Sequence, residues 1–358
     1  MDEKFKLLEL ELCKVCNQLD SLKGNDYSNP SLETYQENLF QLFDKISFEI
    51  HNKKNELLTL SAELDLLTRC LAFISLSVQF LEDSVFNYIP FETVFCLEKA
   101  LKDWVDDELT IVTSLKKDSF GFDPSLSIDK SAIFQIISAR FEINFSKKLI
   151  QIAIPKHDIS DYFFSVVLYH ELAHFIDMKY KISESILLVE YPDIEEEDEE
   201  KKLNHIREHF ADLFCAQYID DCFLKYLLHV AEYDGESYTH PSTGDRIDVV
   251  EDFISETPND IVTQIIKATK EISNKEIKKR YSKLKSYDDF YNYIPPIIES
   301  DAQLHGLFIA GWDIWFNHRE KIAEKNIIKS FKYLNNLIEK SISNYMVTTQ
   351  WKTYYVSE

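Results

Sequence analysis

Glycine is scarce in this chain, with 6 in 358 residues beside 9 prolines. Propellers, β-sandwiches and glycine-rich nucleotide folds need many tight turns, and this composition does not supply them. Long apolar runs are missing too. The longest, near residues 70–81, is interrupted by Ser75, Ser77 and Gln79, so no membrane span is expected. The N-terminal MDEKFKLLELEL is charged from its second residue and lacks the apolar stretch of a signal peptide. The six cysteines are irregularly spaced, which argues against a disulfide framework. A cytoplasmic protein is the expectation. Positive charge is in deficit, 39 Lys and Arg against 62 Asp and Glu, for a net charge of −23. Such a surface repels phosphate backbones and anionic membranes, so no nucleic-acid partner is expected.

What the chain does have is apolar residues, 45% of the total, arranged mostly at helical spacing. Phe5, Leu8, Leu12, Val15 and Leu19 mark a first helix over residues 4–23, ended by Gly24, Asn25 and Asn29-Pro30. Further helices are expected over 32–57, 60–86 and 91–115. Cys13 and Cys16 form a CxxC inside the first helical pattern with no second pair, so ordinary helix packing is expected for them. Residues 118–130 read as a loop and a boundary. Alternation at Phe141, Ile143 and Phe145, then again from Leu149 to Ile154, predicts a β-hairpin. Residues 160–178 are apolar on nearly every face, as a buried helix is. The acidic run Glu195–Glu200 reads as a solvated loop or helix start. Residues 201–230 read as helix, 233–246 as polar loop, and 247–358 as helix interrupted at Pro295-Pro296. The predicted fold is mainly α with a small antiparallel sheet, in three regions: a helical bundle (1–120), a core carrying the chemistry (121–250) and a helical C-terminal region (251–358).

The chemistry starts at His170-Glu171-Leu172-Ala173-His174. Residues four apart share a helix face, so both imidazoles can turn to one metal ion. Glu171 is rotated about 100° from His170 and can accept a proton from water activated there. The pattern arises by chance in roughly one chain in twenty of this composition. Burying two imidazoles and a carboxylate without a partner would be costly, and a metal removes that cost.

A third ligand is needed. Gly at 177 and His at 180 would mark a metzincin, but Asp177 and Tyr180 stand there. Downstream, NHIREHFAD (204–212) offers Glu208, with His205 and His209 as rivals. Glu208 and Asp212 are four apart, so Asp212 can hydrogen-bond a ligand imidazole. Yet Glu208 lies nearly opposite the stripe Leu203, Ile206, Phe210, Leu213 and Phe214, where a solvated acid would also lie. A third string, THPSTGDRI (239–247), places His240 six residues before Arg246 in a polar loop. His240 can stabilise an oxyanion and Arg246 can pair with a carboxylate, or the segment can be a plain turn before a helix.

In this order HELAH, EHFAD and HPSTGDR resemble the motifs of the gluzincin metallopeptidases of the HtpX and CAAX-prenyl-protease type. The resemblance covers roughly residues 140–250. It implies a zincin-like core with helical flanks, one Zn2+ held by His170, His174 and Glu208, and Glu171 as general base and acid. It further implies that Asp212 orients a ligand histidine, that His240 stabilises the transition state and that Arg246 is structural. Leu149 to Ile154 would be the edge strand on which an extended substrate pairs. Those relatives are commonly membrane proteins, and here no span is expected.

The expected function is therefore a zinc-dependent endopeptidase acting on protein or peptide, with room for a regulatory partner on the helical flanks. The alternative is a helical interaction module with a structural or non-catalytic zinc site. HGLFIAGWDIWF (305–316) is expected to be core, or else a wall of the cleft.

Overall fold

The computed structural model describes all residues except 1, 28, 53–59, 83, 86–90, 106–108, 117–119, 124, 127–130, 160, 231–234, 323–325 and 357–358. The parts of the expected helices at 53–57, 83 and 86, and much of the expected loop at 118–130, fall outside the described residues. The chain is mainly helical with one small sheet. It divides into two compact units. The first comprises Met1–Phe91 and Val105–Lys156, the second Glu92–Trp104 and His157–Glu358. Residues 121–156 of the expected core thus belong to the first unit, and the expected C-terminal region shares the second unit with HELAH.

The first unit holds α1 (Asp2–Ser21), α2 (Pro30–Asn52) and α3 (Ser61–Glu82), followed by β1 (Leu109–Lys116), β2 (Gly121–Asp123), α5 (Ser131–Phe141) and β3 (Lys148–Pro155); α4 (Phe91–Lys102) lies almost wholly in the second. The apolar stripe of α1 is buried as its spacing predicts, with Phe5 and Val15 fully enclosed. Cys13 and Cys16 face away from it and are exposed, so they take no part in that packing. Helix α3 is long and apolar enough to cross a membrane by length and composition, contrary to the reading of its interruptions. Most of that apolar stretch, 61%, is buried inside the unit, where α3 packs on α1, α2, α5 and β1.

The sheet corrects two expectations. Its strand order is β1-β3-β2, with β1 parallel and β2 antiparallel to β3, so it is mixed rather than antiparallel. Residues 142–145 form no strand, and β3 has no hairpin partner there. Its partner is β1, where Leu109–Lys116 pairs with Lys148–Pro155 in place of the predicted end of a helix over 91–115. The run Leu-Thr-Ile-Val-Thr is rich in β-branched residues, which favour a pleated surface and cost χ1 freedom in a helix. As the central strand, β3 also cannot be the edge strand the resemblance implied.

In the second unit a 3₁₀ turn (Phe164–Val166) leads into α6 (Val167–Tyr180), which carries HELAH. Then follow α7 (Ile182–Glu190), α8 (Glu196–Ile219), α9 (Cys222–Val230), α10 (Thr243–Ser255), α11 (Asp260–Ser273), the single turn α12 (Asp288–Tyr291), α13 (Asp301–Asn317) and α14 (Ile327–Val356). The expected helix over 201–230 is broken at Asp220, whose φ of 55° ends α8. The expected helical tail has a non-helical stretch at 274–287 and another at 292–300. Helix α8 is the hub: α6, α7, α9, α10 and α13 all pack on it. Helix α13 is core. Trp312 is buried, and a side chain at Gly306 would run into the Ser282 carbonyl oxygen. The missing side chains let the Ser282 backbone approach at Gly306 and Ile338 approach at Gly311.

Candidate metal centre

Helix α6 is buried along nearly all its faces, from Val167 to Asp177. The i, i+4 spacing sets His170 and His174 on one side, with their Nε2 atoms 3.2 Å apart. Helix α8 crosses this side and brings Glu208, whose Oε2 stands 3.3 Å from His170 Nε2 and whose Oε1 stands 3.6 Å from His174 Nε2. Glu208 is buried although it lies opposite the apolar stripe of its own helix. The reason is that α8 is covered on several sides, so its polar side also faces protein. His170, His174 and Glu208 together form a group that can hold a metal ion.

The donor set fits such an ion. Donors about 2.0–2.1 Å from a tetrahedral ion stand about 3.3 Å from one another, and the separations here are 3.2, 3.3 and 3.6 Å. Glu208 Oε2 is buried and makes no hydrogen bond of ordinary geometry. The charges call for a cation as well. Burial opposes charge on His170, yet Glu208 and Asp212 overcome it and raise the imidazole well above its ordinary value. Burial and then the charge on His170 push His174 down to about 4. Burial alone would raise the Glu208 carboxyl, but His170, Arg246 and His174 outweigh it and hold it at about 2. Positive charge belongs between these side chains, and a proton and a metal ion compete for that place.

Behind the group stands a second layer. Asp212, fully buried one turn beyond Glu208, places Oδ1 3.3 Å from His170 Nδ1. Arg246 of α10 donates two hydrogen bonds to Asp212, Nε to Oδ2 at 2.8 Å and Nη2 to Oδ1 at 2.7 Å, and its Nη2 lies 3.3 Å from Glu208 Oε2. Burial works against the charge on Asp212; Arg246 and His170 reverse that and hold the carboxyl below its usual range. The start of α10 is set by Ser242, whose Oγ accepts from Asp245 N at 3.1 Å as an N-cap.

The group is open on the side of His174, which keeps 24% of its side chain exposed. His240, in the loop before α10, is exposed and places Nε2 3.8 Å from Glu208 Oε2. Glu171 is partly buried at the next position on α6 and acts electrostatically on Tyr226 of α9. The seven residues named from the sequence therefore lie on α6, α8 and the loop and start of α10, all in the second unit.

The rivals of Glu208 go elsewhere. His205 Nε2 bonds the Ser237 carbonyl at 2.7 Å, and its Nδ1 faces Glu236 at 3.7 Å. His209 is buried in α8 outside the group of three, and burial lowers its pKa. Sequence reasoning missed Phe223 of α9. Its ring stacks on His170 with centroids 4.8 Å apart and 13° between planes, and the Arg246 guanidinium lies 5.6 Å from its centroid. Nothing in the apolar string around Phe223 distinguishes it from an ordinary core residue. The acidic run is exposed at the start of α8, as a solvated helix start is; its last member, Glu200, and the following Lys201 reach the loop at 236–238.

Compared with known family models, with curated proteins and with solved structures, the chain matches none in any of the three.

Proposed function

We propose that this chain is a zinc-dependent endopeptidase whose metal motifs resemble those of the gluzincins of the HtpX and CAAX-prenyl-protease type. One observation carries the reading. Two histidines one helical turn apart and a glutamate from a second helix converge at 3.2–3.6 Å on a side that stays open at His174. Three protein ligands with an accessible fourth position are what a catalytic zinc needs, whereas structural zinc is usually closed by four.

His170 and His174 through Nε2, and Glu208 through its carboxylate, would hold the ion. When bound, zinc supplies a Lewis acid that lowers the pKa of water toward ~7 and polarises a carbonyl oxygen. The chain's own residues do the rest. Glu171 takes the proton that water loses as its oxygen bonds the scissile carbonyl carbon. It then delivers that proton to the amine nitrogen as the C–N bond breaks. His240 Nε2–H donates to the oxyanion on the open side. Asp212 Oδ1, 3.3 Å from His170 Nδ1, would take up that N–H once the ring turns to the ion and so keep Nε2 free to ligate, while Arg246 holds Asp212 by two hydrogen bonds.

The test is metal content by elemental analysis, followed by cleavage of a mixed peptide library. About one zinc per chain is expected in the wild type, with loss in His174→Ala and in Glu208→Ala. Glu171→Gln should keep the zinc and cleave at least ~100-fold more slowly. Zinc retained with no cleavage by the wild type would favour the helical interaction module with a non-catalytic site. A chain that binds no zinc even after it is added back would overturn both.

A further inference from the structure

His240 sits on a short loop outside any helix, and a catalytic hydrogen-bond donor on such a loop must be fixed by other groups. The loop is fastened to the first three turns of α8 at three points. Lys201 Nζ pairs with Glu236 at 2.6 Å, Tyr238 Oη donates to Glu200 Oε2 at 2.6 Å, and His205 Nε2 bonds the Ser237 carbonyl at 2.7 Å. A carbonyl only accepts, so His205 carries its proton on Nε2. The His205 side chain is only 12% exposed, unlike Glu236 and Tyr238, which lie in solvent. Of the three side chains that α8 contributes, His205 is the least exposed.

From Ser237 the constraint passes to His240. The Ser237 N–H donates to the His240 carbonyl at 2.9 Å, and the His240 N–H donates to Ser237 Oγ at 2.9 Å, which closes the turn on itself. Within that turn Thr239 Oγ1 lies 2.8 Å from His240 Nδ1. The other ring nitrogen, Nε2, faces the Glu208 carboxylate. A nitrogen facing a carboxylate is better as N–H, which leaves Nδ1 to accept the Thr239 hydroxyl proton.

We propose that His205 and Thr239 are positioning residues for His240: His205 anchors the loop through the Ser237 carbonyl, and Thr239 fixes the ring in the tautomer that presents Nε2–H to the metal group. This rests on the endopeptidase reading for its consequence in turnover, but not for the state of the His240 ring. His205 therefore acts as neither ligand nor general base.

Two readouts test it on the full-length zinc-loaded chain. The first is ring-nitrogen NMR of ¹⁵N-histidine-labelled protein, assigned with His240→Ala. A proton on His240 Nε2 with Nδ1 accepting is expected in the wild type, with a mixture of tautomers in Thr239→Val and in His205→Ala. His240 found on Nδ1–H, or unchanged in both variants, overturns the proposal whether or not the chain cleaves peptides. The second is turnover. His205→Ala should lower kcat about tenfold with zinc content and KM unchanged, the scale of losing an orienting contact. His205→Gln, whose amide can still donate to Ser237, should recover most of it. In a His240→Ala background, His205→Ala should cost nothing further. An additive loss would overturn the proposal. Loss of zinc in His205→Ala would do so too, by making His205 a ligand. If the wild type cleaves nothing while the NMR result holds, the endopeptidase reading fails and the clasp on His240 stands.

Discussion

The two units bury different kinds of polar side chain. In the first, the buried polar side chains are hydroxyls and one amide, such as Ser77, Thr113 and Gln151. In the second, His170, Asp177, Glu208, His209, Asp212, Asp220, Arg246 and His305 are all buried. Among the described residues no Asp, Glu, His, Lys or Arg is classed as buried in the first unit. A hydroxyl can be satisfied by one backbone carbonyl, as Ser84 Oγ is by Phe80. A buried charge needs an opposite charge and several hydrogen bonds, or it loses several kcal/mol. The second unit therefore contains a buried electrostatic assembly that packing alone does not explain. Among the described residues of the first, the comparable charge cluster, Arg140 with Glu49 and Glu63, is only partly buried.

The sharpest way to break this contrast is Asp212→Ala. It strands the Arg246 guanidinium and should cost the second unit about 3–5 kcal/mol in urea unfolding. Replacing both partners, Asp212→Leu with Arg246→Met, should cost much less. If the single and double variants are equally stable, the assembly is not held by charge. Next is Leu71→Ala in α3, a fully buried position. It should cost about 2–5 kcal/mol through cavity formation, with zinc content unchanged. A change in zinc content there would show that the contrast between the units is false.

Chelation comes third. Zinc present at 100 times its Kd stabilises the folded form by about 2.7 kcal/mol. Calorimetry with and without chelator should therefore lower the transition of the second unit and leave that of the first in place. The smallest effect concerns Asp161, before α6. Burial raises its carboxyl to about 6, against the hydrogen bonds it accepts from the Phe163 and Phe164 amides. Its folded pKa lies above the unfolded value, so the folded state binds the extra proton. Its contribution to stability is greatest below about 4 and falls as pH rises through about 6. Asp161→Asn keeps the accepting oxygen and cannot ionise. The stability difference between variant and wild type should therefore grow with pH across that window, and a flat difference would contradict the assignment.

Much of this was legible in residue order. The stripe of α1, the buried character of α6 and the shared face of Glu208 and Asp212 all follow from 3.6 residues per turn. Strand β1 was missed because its apolar residues also fit the end of a helical pattern, and the β-branched run Thr110 to Thr113 was outweighed. The hairpin at 141–154 was misread because alternation marks a strand without naming its partner. The partner lay nearly forty residues upstream. Burial of Glu208 was undecided for a related reason: its own helix points it away from the apolar stripe, and only neighbouring helices enclose it.

By itself, then, the sequence determined the local geometry. Residues four apart on a helix share a face whatever surrounds them, so His170 and His174 lie on one side of α6, and Glu208 and Asp212 on one side of α8. Tertiary structure alone decided which acid or imidazole of α8 faces HELAH, that Arg246 grips Asp212, and that His205 holds the loop of His240 instead of a metal. Those choices depend on how helices dozens of residues apart cross and cover one another, and helical periodicity carries no information about that.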